Sequence, residues 1–117
     1  MTASHEIGQA YWSDLESLDI RVGTIQEIAP FPAAKKPAWK LWVDFGPSIG
    51  IKKSSAQIKS LYDEASLQGR QVLAVVNFPP KQIGNFMSEC LVLGVYADDG
   101  VVLITPDRPC KNGDKLG

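Results

Sequence analysis

The fold is decided around residues 39–45, which read Trp39-Lys40-Leu41-Trp42-Val43-Asp44-Phe45. In an extended chain, one face of this segment carries only large apolar side chains, those of Trp39, Leu41, Val43 and Phe45. Such alternation, followed by the turn-forming pair Gly46-Pro47, is typical of a β-strand with one buried face. The sequence therefore predicts a strand here and a sheet around it.

Similar runs predict further strands on both sides. Ile20, Val22 and Thr24 alternate, Gly23 permits a bulge or bend, and residues 30–32 end the run with two prolines. The other predicted strands are apolar runs bounded by Gly or other turn residues: 49–53, 70–78, 89–97 and 101–105, the last two joined by Asp98-Asp99-Gly100.

Two segments favour helices instead. Residues 7–18 have near-helical apolar spacing, and Ser13 with Glu16 fits a capping box. After the third strand, a helix of two to three turns is predicted from Ala56, Ile58, Leu61 and Tyr62, capped by Ser54 or Ser55. Residues 106–117 are rich in Pro and in Asn-Gly, so we expect turns there.

Short strands with one helix after the third describe an oligonucleotide/oligosaccharide-binding (OB) barrel. An SH3-like barrel or a small split sheet fits the periodicity nearly as well. The 117 residues suit a single domain, with residues 1–14 as an N-terminal extension.

The residue types argue against an enzyme. His5 is the one histidine, so a Ser-His-Asp or Cys-His nucleophile lacks a base within the barrel. Cys90 and Cys110 have no metal-ligand spacing, and no phosphate-binding glycine motif occurs, so no metal or cofactor is expected. With no apolar run near membrane-spanning length and no signal peptide, we expect a cytoplasmic protein without membrane insertion and with reduced thiols.

The charges are unevenly distributed. Residues 1–34 carry a net charge of −4, whereas residues 35–96 carry eight Lys/Arg against four acidic residues. A basic middle segment can form a phosphate-binding surface on a nearly neutral protein. Solvated lysines on strand edges and loops are the alternative.

Residues 77–89 are the most unusual stretch. Pro79-Pro80 stiffens a predicted loop in which Asn77, Lys81 and Ser88 offer hydrogen-bonding groups. The apolar side chains of this loop could stack on a base or hold a peptide side chain: Phe78, Phe86 and Met87. The alternative is that both Phe residues finish the end of the barrel. Lys35-Lys36 and Lys52-Lys53-Ser54-Ser55 would reach the same face if the barrel forms.

Several segments resemble one known family. Residues 18–25, Leu-Asp-Ile-Arg-Val-Gly-Thr-Ile, are similar to the opening of the tRNA-binding-domain family. Residues 44–46, 49–58, 75–81, 88–94, 106–107 and 112–113 resemble its CsaA-type export chaperone branch more narrowly.

The resemblance implies a homodimeric, five-stranded Greek-key OB barrel that binds unfolded or exported preproteins and also tRNA, with export machinery as a further partner. The apolar residues Tyr11 and Trp12 in the terminal segment also favour a dimer, with a helix packed on its own barrel as the alternative. The RNA-binding candidates are Lys36, Lys52, Lys53, Ser54, Ser55, Asn77, Lys81 and Ser88, and the peptide-binding candidates are Phe78, Phe86 and Met87. Gln82, Gly84 and Met87 stand where relatives often carry cations, so tRNA binding should be weaker and more salt-sensitive. The alternative function is a dedicated structure-specific tRNA-binding module that serves tRNA-handling proteins.

Overall fold

The structure, a computed structural model, describes residues 8–117. His5 and the start of the predicted 7–18 helix lie outside the described residues. Within the described range the chain forms nine strands and two short helices. They are α1 (Trp12–Glu16), β1 (Ile20–Pro30), β2 (Trp39–Asp44), β3 (Ile51–Ala56), α2 (Glu64–Leu67), β4 (Gln71–Val75), β5 (Lys81–Ile83), β6 (Phe86–Ser88), β7 (Leu91–Val92), β8 (Gly94–Ala97) and β9 (Gly100–Leu103).

Five strands form one antiparallel sheet in the order β3-β2-β1-β4-β7. The long strand β1 pairs with β4 through its first half and with β2 through its second half. The two edges of the sheet meet where the Lys53 carbonyl oxygen accepts hydrogen bonds from the backbone N–H groups of Glu89 (2.7 Å) and Cys90 (3.2 Å). The sheet is therefore a nearly closed barrel, which confirms the predicted all-β OB fold.

The barrel interior is filled by the alternating face of β2. Leu41 and Val43 are fully buried, as is Ile25 of β1. Leu67 of α2 is also fully buried, so the helix after the third strand contributes to the same core. Removing each such side chain from water stabilises the fold by roughly 1.5–3 kcal/mol. The pattern read from residues 39–45 is confirmed.

Gly23 does not form the predicted bulge. It pairs in register with Val72, and the irregularity falls at Gln26, between Ile25 and Glu27. A Cβ atom at Gly23 would lie 2.5 Å from Cγ1 of Val43, so the glycine allows the two strands' side chains to pack closely. The physical requirement at this position is space inside the barrel.

Both predicted helices are shorter than expected, and both begin elsewhere. α1 begins after Tyr11, whose backbone N–H donates to Oδ2 of Asp14 (2.7 Å), so the predicted capping residue Ser13 lies inside the helix. α2 is a single turn capped by Asp63, which accepts from the Ser66 N–H (2.8 Å). That hydrogen bond lowers the pKa of the Asp63 carboxyl.

The helix after the third strand begins at Glu64 and not within the predicted segment 56–62, because Ser54, Ser55 and Ala56 extend β3. Each pairs with a residue of β2, and Ala56 lies opposite Trp39. Ser54 and Ala56 face the core, whereas Ser55 does not. β3 therefore includes Ser54 and Ser55, the two residues that the sequence predicted as helix caps.

The remaining elements lie outside the five-stranded sheet. β8 and β9 form the predicted hairpin, with Ala97 paired to Gly100 across a two-residue turn. The C-terminal segment runs along β1. The N–H of Leu116 donates to the Ile20 carbonyl oxygen (2.9 Å), and Arg21 and Lys115 form an isolated antiparallel β-bridge through their backbones. Among the described residues no helix is both long and apolar enough to cross a membrane.

Candidate binding face

The stretch predicted as a loop, residues 77–89, contains a small hairpin. Strands β5 and β6 pair Lys81 with Ser88 and Ile83 with Phe86, around a turn at residues 84–85. Successive side chains in a strand point to opposite faces, so these two pairs share one face of the hairpin. This hairpin and the outer side of β2 and β3 form the surface described below as the binding face.

Phe86 anchors the hairpin to the sheet. Its ring lies edge-on to Phe31 (5.4 Å between centroids) and to Trp42 (6.0 Å), and only 6% of the residue is exposed. Phe86, Phe31 and Trp42, together with Ala38, form a second, smaller core outside the barrel. Phe86 was predicted to contact peptide, but its burial makes it a packing residue with almost no surface for a ligand.

Two lysines flank the Phe86 ring. Nζ of Lys40 and Nζ of Lys53 each lie 5.3 Å from its centroid, and Lys40 is also 4.9 Å from the Phe31 ring. Neither lysine has a carboxylate within 4.0 Å in the described part of the chain. Cations held against aromatic rings lose conformational freedom in advance of binding. The two ammonium groups therefore form a positive site without an ion pair among the described residues.

Sequence reasoning missed Lys40. The signal was present, because Lys40 alternates with the buried residues of β2 and must point outward with Trp42. The register confirms this arrangement, since Trp42 lies directly opposite Lys53.

The segment Lys52-Lys53-Ser54-Ser55 does not act as one group. Alternation along β3 places Lys52 and Ser54 on the inner face, opposite Val43 and Leu41. Ser54 is 1% exposed and is thereby removed from any surface that RNA could reach. Lys53 and Ser55 lie on the outer face, where the Ser55 N–H donates to Oγ of Ser88 (3.4 Å).

A pocket of about 260 Å³ opens beside the hairpin and brings together three of the predicted residues, Phe78, Lys81 and Ser88. Pro79, Glu89, Cys90 and Leu91 complete its wall. Phe78 is 44% exposed and Leu91 48% exposed, so two apolar side chains remain open to a ligand. Lys81 and Glu89 add opposite charges to this mostly apolar concavity.

Cys90 closes the inner side of the pocket. Burial raises the pKa of its thiol to about 12, so the sulfur stays protonated at neutral pH. Nucleophilic and metal-binding chemistry needs the thiolate, so this cysteine is chemically inert. Over residues 8–117, no cluster of three or more His, Cys, Asp or Glu side chains could hold a metal ion.

Other predicted residues lie nearby in different roles. Asn77 makes two structural hydrogen bonds: its Nδ2 donates to the Ser17 carbonyl oxygen (2.9 Å), and its Oδ1 accepts from the Asp19 N–H (2.9 Å). It joins the end of β4 to the segment after α1, and because it is exposed, its second amide hydrogen and second oxygen lone pair stay accessible. Met87 is half-buried and pairs with Gln82, on the opposite face of the hairpin from Phe86.

Lys35 and Lys36 are exposed in the loop between β1 and β2. The two ends of that loop, Phe31 and Ala38, belong to the same small core as Phe86. Lys35 and Lys36 therefore lie in a loop anchored in the small core against which Lys40 and Lys53 also pack.

The family model described as "Putative tRNA binding domain" matches residues 20–115, which include the whole barrel and the hairpin. The chain belongs to this tRNA-binding-domain family. The match begins at the first residue of β1 and excludes α1, so the family is defined by the barrel and not by the N-terminal segment.

Two solved structures of this fold cover the chain almost completely. The CsaA chaperone protein from Picrophilus torridus is 50% identical and superimposes with a TM-score of 0.89, covering 93% of this chain and 100% of the other. The chaperone CsaA from Bacillus anthracis str. Ames is 44% identical with a TM-score of 0.88, covering 94% and 100%. The expected resemblance to the CsaA branch is confirmed.

Curated relatives include methionine–tRNA ligases. The ligase from Leptospira biflexa is 36% identical over 103 residues, which are 88% of this chain and 15% of the ligase. The ligase from Methanocaldococcus jannaschii is 34% identical over 105 residues, or 89% and 16%. The chain thus corresponds to one small part of these enzymes.

Proposed function

We propose that this chain is a CsaA-like molecular chaperone, which holds apolar segments of unfolded or exported preproteins and also binds tRNA. The observation that carries the proposal is the pocket of Phe78, Lys81 and Ser88 beside the hairpin whose Phe86 ring packs against Lys40 and Lys53. An apolar cavity next to several lysines can serve both kinds of ligand. The high identity to two CsaA chaperones over the whole chain supports the same function.

The pocket suits a client side chain. Its volume of about 260 Å³ lies just below the range of about 300–1,000 Å³ found for small-molecule sites, so one large apolar side chain would fill it. Pro79 fixes part of the wall, which lowers the entropy lost when a client binds. Lys81 and Glu89 can contact polar groups of an extended chain on either side of the inserted residue.

Suppression of aggregation tests the chaperone function. The Phe78→Ser variant should lose most of its ability to keep a chemically unfolded client in solution. Tyr96→Ser is the matched control, because Tyr96 is 96% exposed and does not line this pocket. Equal activity of the wild type and Phe78→Ser, or equal losses in both variants, would contradict the assignment of the pocket.

tRNA binding is proposed on the same face, through Lys40, Lys53 and Lys81. Lysine neutralises phosphate as a point charge, and structured RNA is recognised mainly through its backbone and shape. Lys81→Glu should therefore reduce retention of tRNA. Because the pocket adjoins these lysines, an apolar peptide should compete with tRNA, and independent binding of the two ligands would separate the sites.

The alternative is a dedicated tRNA-binding module that acts with tRNA-handling proteins. The observation that favours it is the match to a short part of methionine–tRNA ligases. The two functions differ in one result: a dedicated module would retain tRNA but would not suppress the aggregation of any unfolded client.

A homodimer is the proposed assembly. Trp12, the first residue of α1, is 82% exposed, and Tyr11 just before it is 71% exposed. Trp12 also lines a concavity of about 470 Å³ with Leu15 and Leu116. A second copy of this chain would cover this apolar surface. Sedimentation should give a dimer for the wild type and a monomer for Trp12→Glu, and a monomeric wild type at micromolar concentration would contradict the proposal.

We place the protein in the cytoplasm, where it would deliver exported preproteins to the export machinery. Its two cysteines are free, as expected in a reducing compartment. Cell fractionation tests the location, and co-purification under native conditions should recover tRNA and preproteins together.

A further inference from the structure

A second concavity, of about 640 Å³, lies where β1, β4 and the segment after β9 meet. It shares no lining residue with the Phe78 pocket. Its wall includes Arg70 just before β4, Thr105, and Arg108 in the turn-rich tail. Arg70 and Arg108 are two of the three arginines in the sequence.

Arg70 is held in place by the protein and has no ion-pair partner among residues 8–117. Its Nε donates to the Ser66 carbonyl oxygen (3.0 Å), and its guanidinium carbon lies 5.3 Å from the centroid of the Tyr62 ring. The side chain is half-buried, and no carboxylate in the described chain comes within 4.0 Å of it. A fixed arginine with free terminal N–H groups is prepared to bind an anion.

Most of the other polar groups of the wall are already engaged. The Gln71 side chain donates to the Cys110 carbonyl oxygen (2.7 Å) and accepts from the Cys110 N–H (2.9 Å). The Thr24 hydroxyl donates to Oδ1 of Asn112 (2.7 Å). The donors that remain for a ligand are therefore chiefly those of the two arginines and the Thr105 hydroxyl.

Arg108 can turn toward such a ligand at little cost. Its Nε lies 4.0 Å from Oδ2 of Asp107, and the two side chains are 87% and 96% exposed. Exposed ion pairs of this kind contribute little to stability. Arg108 can leave Asp107 and approach an anion held by Arg70.

We propose that this concavity binds a phosphomonoester group, with Arg70 as the fixed fork and Arg108 as the mobile second cation. A phosphomonoester carries close to two negative charges at neutral pH, which matches two guanidinium groups better than a carboxylate does. The volume lies within the range of small-molecule sites and leaves room for an attached nucleoside. The group could come from a free mononucleotide or from the 5′-phosphorylated end of an RNA.

The test uses the whole chain with AMP, adenosine and inorganic phosphate as probes. Amide NMR and calorimetry measure the binding of each probe. AMP should shift the amide signals of residues 69–71 and of Thr105, Asp107 and Arg108, and adenosine should not. Arg108→Gln should weaken AMP binding about tenfold, as expected for the loss of one charge-assisted contact. This variant cannot act through misfolding, because the side chain is almost fully exposed.

Three further variants separate binding from structure. Arg70→Lys should bind AMP better than Arg70→Gln, provided that thermal unfolding shows both to be folded. Asp107→Asn should tighten binding, since it removes a nearby negative charge. Lys59→Gln is the matched loss of one positive charge outside the concavity and should have no effect.

Short oligonucleotides with a 5′-phosphate or a 5′-hydroxyl identify the source. Tighter binding of the 5′-phosphorylated oligonucleotide assigns the site to RNA ends. If the two oligonucleotides bind equally and AMP alone also binds, the site is assigned to free nucleotides. The proposal is overturned if adenosine binds as well as AMP, if millimolar AMP leaves these amides unshifted, or if Arg108→Gln binds AMP like the wild type.

Discussion

Lys53 and Phe86 are in contact, with Nζ of Lys53 5.3 Å from the centre of the Phe86 ring. The sequence suggested separate partners for them, RNA for Lys53 and peptide for Phe86. In the structure they belong to one unit, in which the buried ring positions the ammonium groups of Lys53 and Lys40. The aromatic residue supports the binding face from below, and the lysines supply the charge.

Loss of either lysine should change the salt dependence of tRNA binding. Each phosphate contact contributes about 0.7–0.9 to the slope of log K against log salt concentration. Lys40→Gln and Lys53→Gln should each reduce the slope by about that amount. Filter binding between low and moderate salt measures it. The control is Lys59→Gln, which removes an ammonium group that lies 4.5 Å from the Trp39 ring. An unchanged slope in the variant that carries both Lys40→Gln and Lys53→Gln would exclude phosphate contacts at these two lysines.

The two phenylalanines should respond differently to truncation. Phe86→Ala should lower the free energy of unfolding by about 3–5 kcal/mol, because it empties the small core between the hairpin and β2. Phe78→Ala should cost about 1 kcal/mol or less, since nearly half of that residue is exposed. Urea unfolding of both variants distinguishes a packing residue from a surface residue. Equal losses would contradict the packing described for Phe86.

The sequence could predict the barrel because the alternation in residues 39–45 reflects burial directly. It could not predict the hairpin of β5 and β6, although Gly84-Asn85 between Ile83 and Phe86 is a recognisable two-residue turn. Gly84 has φ +59°, as expected for glycine at the first central position of such a turn. The prolines before this segment favoured a loop, and the packing of Phe86 outweighed that local signal.

The lysine and serine run 52–55 shows a different limit. Once these residues are placed in a strand, alternation alone separates Lys53 and Ser55 from Lys52 and Ser54. The prediction treated the run as the end of a strand followed by a helix cap. The apolar positions Ala56 and Ile58 fit a strand as well as a helix, so only the pairing with β2 could decide between them.

Gly23→Ala should destabilise the barrel. The added Cβ atom would lie 2.5 Å from Cγ1 of Val43 and 2.7 Å from the Phe45 ring, both inside the core. Overpacking of this kind costs about 1–3 kcal/mol. Thermal or urea unfolding measures the loss. Gly8→Ala is the control, because no atom of the described residues 9–117 lies within 4 Å of a Cβ at that position. A neutral Gly23→Ala would show that β1 and β2 can separate without cost.

Cys90 should make the stability fall at alkaline pH. Burial raises the pKa of its thiol from 9.0 to about 12, so above pH 9 the unfolded chain loses this proton while the folded chain keeps it. Ionisation then favours the unfolded state, and the contribution present below pH 9 is lost as the pH rises toward 12. Relative to Cys90→Ala, the free energy of unfolding of the wild type should fall by up to about 1.4 kcal/mol more per pH unit above pH 9.

Urea unfolding at a series of pH values measures this difference, and Cys110→Ala should keep the wild-type decline. Parallel curves for the wild type and Cys90→Ala would mean that the thiol is reached by solvent in the folded state.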